Sequence, residues 1–265
     1  MKQRIVAGNW KMNTLMHEAS RLVGELQQEV DARVIPSHID IVVCPPFPWI
    51  SDTVVRLTGN HNGHGSKEPS VIRCGAQDCH HEVSGAFTGD VSAPMLVDIG
   101  CRDVIVGHSE RRQFHGETNE LIARKITAAL RAGLRPIVCI GESSDQRALG
   151  RTTEVVSAQI DELVSYAGAE ALNASVVAYE PLWAIGTGIA ATTDQAQEVH
   201  ALIRSRLSTH GAPDTPILYG GSVNATNAAD YFACSEIDGA LVGGAALSST
   251  TFLAIINAAC TAWSE

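Results

Sequence analysis

The stretch VVAYEPLWAIGTG, from Val176 to Gly188, places a carboxylate, Glu180, at the end of an apolar run and follows it with a proline and a Gly-Thr-Gly turn. An unpaired buried charge is costly, so a glutamate in such company asks for a reason beyond solubility. A carboxylate held against a carbon acid can take and return a proton. That chemistry needs a group to polarise a carbonyl and a means of holding the substrate. His108, in GHSERR, can serve as the first. Gly220-Gly221-Ser222 and Gly243-Gly244 can serve as the second, because glycine turns let backbone N–H groups converge on an oxyanion. Lys11 adds a cation close to Asn9, just after a short apolar run; the other lysines are Lys2, Lys67 and Lys125. One cation, one imidazole, one carboxylate and two glycine turns are a sufficient set for proton transfer on a phosphorylated small molecule.

These residues act together only if the fold brings them to one face. Short apolar runs at Arg4–Gly8, Ile39–Cys44, Val71–Ala76, Asp103–Gly107, Pro136–Ile140, Ser175–Tyr179, Pro216–Tyr219 and Gly239–Val242 read as strands buried on both faces. Helical patterns lie between them. From Thr118 to Arg131, apolar residues recur at Leu121, Ile122, Ile126, Ala129 and Leu130, and Thr192-Thr193-Asp194-Gln195 has the form of a helix N-cap with its closing glutamine. Eight strands alternating with helices fit an α/β fold, a single (β/α)8 barrel of parallel strands with outer helices. A doubly wound open sheet reads similarly, but no G-x-G-x-x-G opens the first helix, which weakens a dinucleotide reading. In a parallel barrel every strand ends on the same face, and there the candidate residues would meet. No linker divides the chain, so residues 1–265 are expected to form one domain, with Thr58–Ser70, polar and Gly-rich, as an exposed loop insertion.

Composition narrows the partners. Hydrophobic residues make up 45% of the 265 and charged residues 18%, which is ordinary globular usage. A formal net charge of −10 argues against nucleic acid or an anionic membrane as a bulk partner. No apolar run approaches a membrane span, and the start, MKQRIVAGNWKMN, is not a secretory signal. Seven scattered cysteines without a C-x-x-C pair point to reduced thiols and a cytoplasmic location. No matched zinc-ligand spacing accompanies His61 and His64 or Cys79-His80-His81, so no metal is expected. A Schiff-base mechanism would want a lysine where the sixth strand instead ends in Glu180. Arg111-Arg112 reads as a solvated, salt-bridged pair, and Glu110 as a helix-start acid that can also orient Lys11.

The segments AGNWKMN (7–13), GAFTGD (85–90), GHSERR (107–112), VCIGE (138–142), YEPLWAIGTG (179–188), YGGSV (219–223) and LVGGAAL (241–247) together resemble the triosephosphate isomerase family, in order and spacing from the first strand to the last. The resemblance implies interconversion of dihydroxyacetone phosphate and D-glyceraldehyde 3-phosphate through an enediolate, with no cofactor. It implies Glu180 as the base, His108 as the neutral electrophile, Lys11 as the charge facing phosphate and enediolate, and Asn9 as a polar contact. Backbone N–H groups of Gly186, Ser222, Gly243 and Gly244 would hold the phosphate. Burial of Glu180 is expected to raise its basicity, because desolvation disfavours the charged form. Ile185 and Leu241 match an apolar clamp around that carboxylate. Pro181–Trp183 match a lid hinge, 184–188 the lid's tip, and Tyr219 and Ser222 its hydrogen-bonding partners. The Gly85–Asp90 loop, with Thr88 and Gln77, matches the element that completes a homodimer.

The chain departs from that pattern at Ile189, where a lysine is usual in the second hinge, and at Ala246, where a serine hydroxyl is expected near the phosphate. Two other readings stand beside this one: a sister isomerase of a phosphorylated tetrulose, and a barrel that binds phosphate without catalysis.

Overall fold

Period-two alternation along the strands decides what faces inward. Ile5 and Ala7, Val42 and Cys44, Ile137 and Cys139, and Val176 and Ala178 form one buried cluster with Ile105, Leu218 and Leu241. The intervening residues, among them Val6, Ile41, Val43, Val104, Val138 and Val177, belong to a second cluster shared with the helices. Both faces of each strand are therefore apolar, as a sheet between a filled interior and a helical coat requires.

The computed structural model describes residues 2–59, 70–184 and 190–264. The strands are β1 (Arg4–Asn9), β2 (Ile39–Cys44), β3 (Ile72–Ala76), β4 (Asp103–Val106), β5 (Arg135–Ile140), β6 (Val176–Tyr179), β7 (Ile217–Tyr219) and β8 (Gly239–Val242). They pair in sequence order, all parallel, and β8 pairs with β1 to close the barrel. The helices are α1 (Met16–Asp31), α2 (Ile50–Thr58), α3 (Ala93–Asp98), α4 (Ser109–His115), α5 (Asn119–Ala132), α6 (Ser144–Ala148), α7 (Thr152–Ala167), α8 (Ala169–Asn173), α9 (Thr193–Thr209), α10 (Ala228–Phe232) and α11 (Ser249–Ala262). The strand limits lie within one residue of those expected from sequence. Thr118 caps α5 by accepting from the Leu121 amide, and Thr192 with Gln195 forms the anticipated capping box of α9. Among the described residues, no helix is long and apolar enough to cross a membrane. The 58–70 loop reading concerns residues of which 60–69 lie outside the described set.

The face opposite the strand exits is closed by paired charge. Asp238, fully buried, accepts from Arg4 at 2.8 Å and from the Ile217 amide at 2.9 Å, lies 2.7 Å from the Lys2 ammonium, and also pairs with Arg204. Asp103, equally buried, pairs with Arg73 at 2.8 Å and Arg135 at 2.6 Å. Removing one member of such a buried set leaves uncompensated charge. Asp238→Ala is therefore expected to destabilise the fold by about 3–5 kcal/mol, read from the urea unfolding midpoint. An unchanged midpoint would show that these arginines do not depend on the carboxylate.

Candidate active site

Glu180 continues the inward parity of Val176 and Ala178 one step past the end of β6. It is 2% exposed, so its charge must be met by the protein. His108 Nε2 lies 3.0 Å from its Oε1, and the Ser109 amide donates to its Oε2 at 2.9 Å. Gly141, at the exit of β5, is the reason the strand carrying Glu180 can approach so closely. A Cβ there would stand 1.8 Å from the Glu180 carbonyl oxygen. Gln159 of α7 fixes Gly141 from outside, accepting from its amide at 2.9 Å and donating to its carbonyl at 3.1 Å.

His108 reaches the same spot through a different device. Gly107 follows β4 with φ +66, a left-handed turn that suits glycine and breaks the strand's alternation. His108 then serves as N-cap of α4, and its Nδ1 accepts from the Glu110 amide at 3.3 Å. An N–H pointing at Nδ1 places the proton of the neutral ring on Nε2, facing Glu180. Burial opposes charge on His108, but the adjacent Glu180 carboxylate outweighs it and raises the imidazole's pKa. Burial likewise works to raise the Glu180 pKa, yet His108, the Ser109 amide and Lys11 together hold the carboxyl below its ordinary range. This corrects the expectation that burial alone makes Glu180 more basic. In this arrangement, donors around the carboxylate win over desolvation.

Lys11 sits at φ +52, an unusual conformation for a residue with a side chain. The surroundings hold it there. Its amide donates to Asn9 Oδ1 at 3.0 Å, and Gln77 Nε2 donates to its carbonyl and to that of Cys44, both at 2.9 Å. Its ammonium pairs with Glu110 at 2.7 Å, as the sequence suggested. Strain maintained by several contacts is typical of a site whose geometry is functional.

Asn9, Lys11, His108, Glu180, Ser222, Gly243 and Gly244 all line one cavity of about 560 Å³, with Gly220, Gly221 and Leu241. The strand exits thus bring together every described candidate. Gly186, and with it Ile185 and Ile189, lies outside the described residues. The Ser222 hydroxyl donates to the Ala184 carbonyl at 2.7 Å, which leaves its backbone N–H as the group available to an anion.

Two expectations need correction. Ala246 is fully buried, and the cavity is lined by its neighbours Ala245 and Leu247; a hydroxyl at 246 would enter the core rather than the pocket. Arg112 is not a solvated ion-pair partner. It donates to the Gly107 carbonyl at 2.8 Å, to Asn119 at 2.6 Å and to the Cys139 carbonyl at 2.9 Å, bracing the turn before His108 against β5. Burial lowers its pKa. Arg111 does pair, with Asp78 at 2.9 Å and Glu117 at 2.6 Å.

Glu142 is a further residue of consequence. It is fully buried, accepts from Tyr179 at 3.1 Å and from the Trp183 indole at 3.0 Å, and takes the Leu182 amide on its carbonyl at 3.2 Å. It thereby anchors the turn that follows Glu180. Its position two residues past β5 is the sequence signal for it. Nothing in the sequence marks Gln159, whose role depends on where α7 packs.

A family model described as triosephosphate isomerase matches residues 4–259. The chain is 47% identical over 262 residues to the triosephosphate isomerase of Herminiimonas arsenicoxydans, covering 98% of this chain and 100% of that protein. It is 45% identical over 262 residues to the one of Xanthomonas campestris pv. campestris (strain 8004), covering 98% and 99%. It is 43% identical over 265 residues to the one of Shewanella sp. (strain ANA-3), covering 99% of each.

His108 lowers the Glu180 pKa in this arrangement, so His108→Gln is expected to move the carboxyl's titration to higher pH. The sign for stability follows. A depressed carboxyl contributes stability above its unfolded value, near pH ~4.3, and loses it as pH falls through the folded value. Titration of ¹³C-labelled glutamate by NMR would read the shift; an unmoved Glu180 signal would show that the pair does not form in solution.

Proposed function

The chain belongs to the triosephosphate isomerase family and interconverts dihydroxyacetone phosphate and D-glyceraldehyde 3-phosphate, and from that premise we propose that Glu180 carries the proton between the two carbons while His108 serves the two oxygens. The observation that carries this assignment is the contact of His108 Nε2 with Glu180 Oε1 at 3.0 Å, inside a cavity that glycine turns and Lys11 also line.

The reaction moves one proton between adjacent carbons and conserves every atom and electron, so it needs no external oxidant. Glu180 takes the proton from the carbon beside the ketone, and the electron pair moves onto the carbonyl oxygen. His108, protonated on Nε2, donates to that oxygen and recovers a proton from the neighbouring hydroxyl. Glu180 returns its proton to the second carbon. The carbon acid is far weaker than a carboxylic acid, so the enediolate depends on charge and dipoles placed in advance. Lys11 supplies the charge, Asn9 holds the Lys11 amide, and Leu241 excludes water on the apolar side. Backbone N–H groups of Ser222, Gly243 and Gly244 receive the phosphate.

To act as base, Glu180 exchanges its bonds with His108 and Ser109 for the substrate carbon. Each bond lost raises its basicity, because burial then acts on a carboxylate with fewer donors. The same move removes from His108 the larger of the two negative charges that raise its pKa. Burial, the Glu110 amide on Nδ1 and the Lys11 ammonium remain and favour the neutral ring, against the Glu110 carboxylate, which favours the charged one. One displacement therefore makes the base stronger and keeps the electrophile uncharged.

The molecule we propose is a homodimer joined through the Gly85–Asp90 loop. That loop is exposed throughout, and Met12 at 96%, Val83 at 65% and Phe87 at 42% present apolar surface around it and beside Lys11. Gln77 ties the exit of β3, from which the loop grows, to the Lys11 carbonyl, so docking there would bear on the site. A cytoplasmic location accords with seven cysteines that are all free thiols.

In a coupled assay with glyceraldehyde 3-phosphate, Glu180→Gln is expected to reduce turnover by about 10²–10⁴-fold with little change in affinity for a substrate analogue. Near-normal turnover would sink the base assignment. Lys11→Met should weaken inorganic phosphate inhibition as well as rate; unchanged inhibition would remove Lys11 from the phosphate. For assembly, sedimentation of the native chain should give twice the chain mass, and Phe87→Glu should shift it towards the monomer and lower activity. A native chain that sediments as a monomer with full activity would refute the dimer.

A further inference from the structure

The strand exits that carry Glu180 and the Gly220–Ser222 turn are tied to each other at two places. The first is the Ser222 hydroxyl on the Ala184 carbonyl. The second lies at Ala191, immediately before the N-cap of α9, and is made by two tyrosines. Tyr219 ends β7 and so directly precedes the glycine turn, while Tyr231 comes from α10. Their rings stack at 4.3 Å between centroids, inclined by 24°, and both side chains are buried.

The hydroxyl protons have a unique arrangement. Tyr231 donates to the Ala191 carbonyl. A phenol carries a single proton, so the 3.4 Å contact between the two hydroxyls must use the proton of Tyr219. The bonds form a chain, from Tyr219 to Tyr231 and from Tyr231 to the Ala191 C=O. The carbonyl of one buried residue is thus met by a tyrosine pair, and Ala191 itself is 4% exposed. Chains of hydrogen bonds polarise one another, so breaking one link weakens the others.

We propose that Tyr231 is a positioning residue for the isomerase reaction, holding Ala191 and the Tyr219 ring so that the exits of β6 and β7 keep the spacing the phosphate requires. The proposal rests on the assignment of Glu180 and of the Gly220–Ser222 turn given above. The hydroxyl, more than the ring, is the functional part, because the stack alone leaves the Ala191 carbonyl without its donor.

Tyr231→Phe keeps the stack and removes one donor. It is expected to lower kcat/KM for glyceraldehyde 3-phosphate by roughly ten-fold, the order of one buried hydrogen bond. Unphosphorylated glyceraldehyde, followed by deuterium exchange at carbon, should be unaffected, since it makes no use of the phosphate spacing. In a Tyr219→Phe background the second substitution should cost less than in the native chain, because the Tyr231 hydroxyl has already lost the proton donated to it. Equal losses on both substrates would mark Tyr231 as merely structural, and full multiplicative losses would show that the two hydroxyls do not act as a unit. An active wild type with an unimpaired Tyr231→Phe would overturn this inference alone; an inactive wild type would instead overturn the function on which it rests.

Discussion

A carboxylate with 2% exposure has to be matched by the protein around it, and much of the site's construction answers to that demand at Glu180. Two donors meet it, the His108 ring and the Ser109 amide, and both come from the start of one short helix, α4. Placing that helix start requires the left-handed turn at Gly107 and the Arg112 brace onto β5. Placing the strand beside it requires an exit of β5 with no side chain, and a glutamine from α7 to hold that exit. Each requirement concerns a different segment, and all are met within one closed barrel.

Satisfying a buried base has a chemical cost. The donors that make Glu180 tolerable as an anion also make it a weaker base, because they favour the charged form. In the reaction proposed above, the substrate displaces these donors and so strengthens the base when it is needed. The opposite pKa shifts of Glu180 and His108 share one main origin, the contact between them, with the Ser109 amide and Lys11 adding to the first and Glu110 to the second. The contacts that stabilise the buried carboxylate are thus the same ones that weaken it as a base.

The cationic side of the cavity follows a different principle. Lys11 is held in a conformation that its own backbone disfavours, by Asn9, Gln77 and Glu110 acting on its amide, carbonyl and ammonium. Fixing a flexible side chain before the substrate arrives removes an entropy cost from binding. Glu142 does related work behind Glu180. It gathers Tyr179, Leu182 and Trp183 so that the turn after Glu180 leaves β6 in a defined direction.

Much of this was legible in the sequence. The parity of Val176, Ala178 and Glu180 needs only a period of two, and unbroken apolar runs separated by helical patterns reveal a parallel sheet covered on both faces. Residue chemistry at the strand ends pointed to the cation, the imidazole, the carboxylate and the glycine turns that line the cavity, because strand exits are local features. What remained hidden depends on neighbours far along the chain. Residue 246 is turned into the core, Arg112 spends its donors on the carbonyls of the Gly107 turn and of β5, and Gln159 reaches Gly141 from a packed helix. The direction of the Glu180 shift belongs to the same class. Burial alone would raise its pKa, and only contacts between residues 71 and 72 positions apart, arranged by the closed barrel, reverse the sign. Sequence determines which groups stand at the barrel's mouth; tertiary structure decides which of them touch, and touching is what sets their charge.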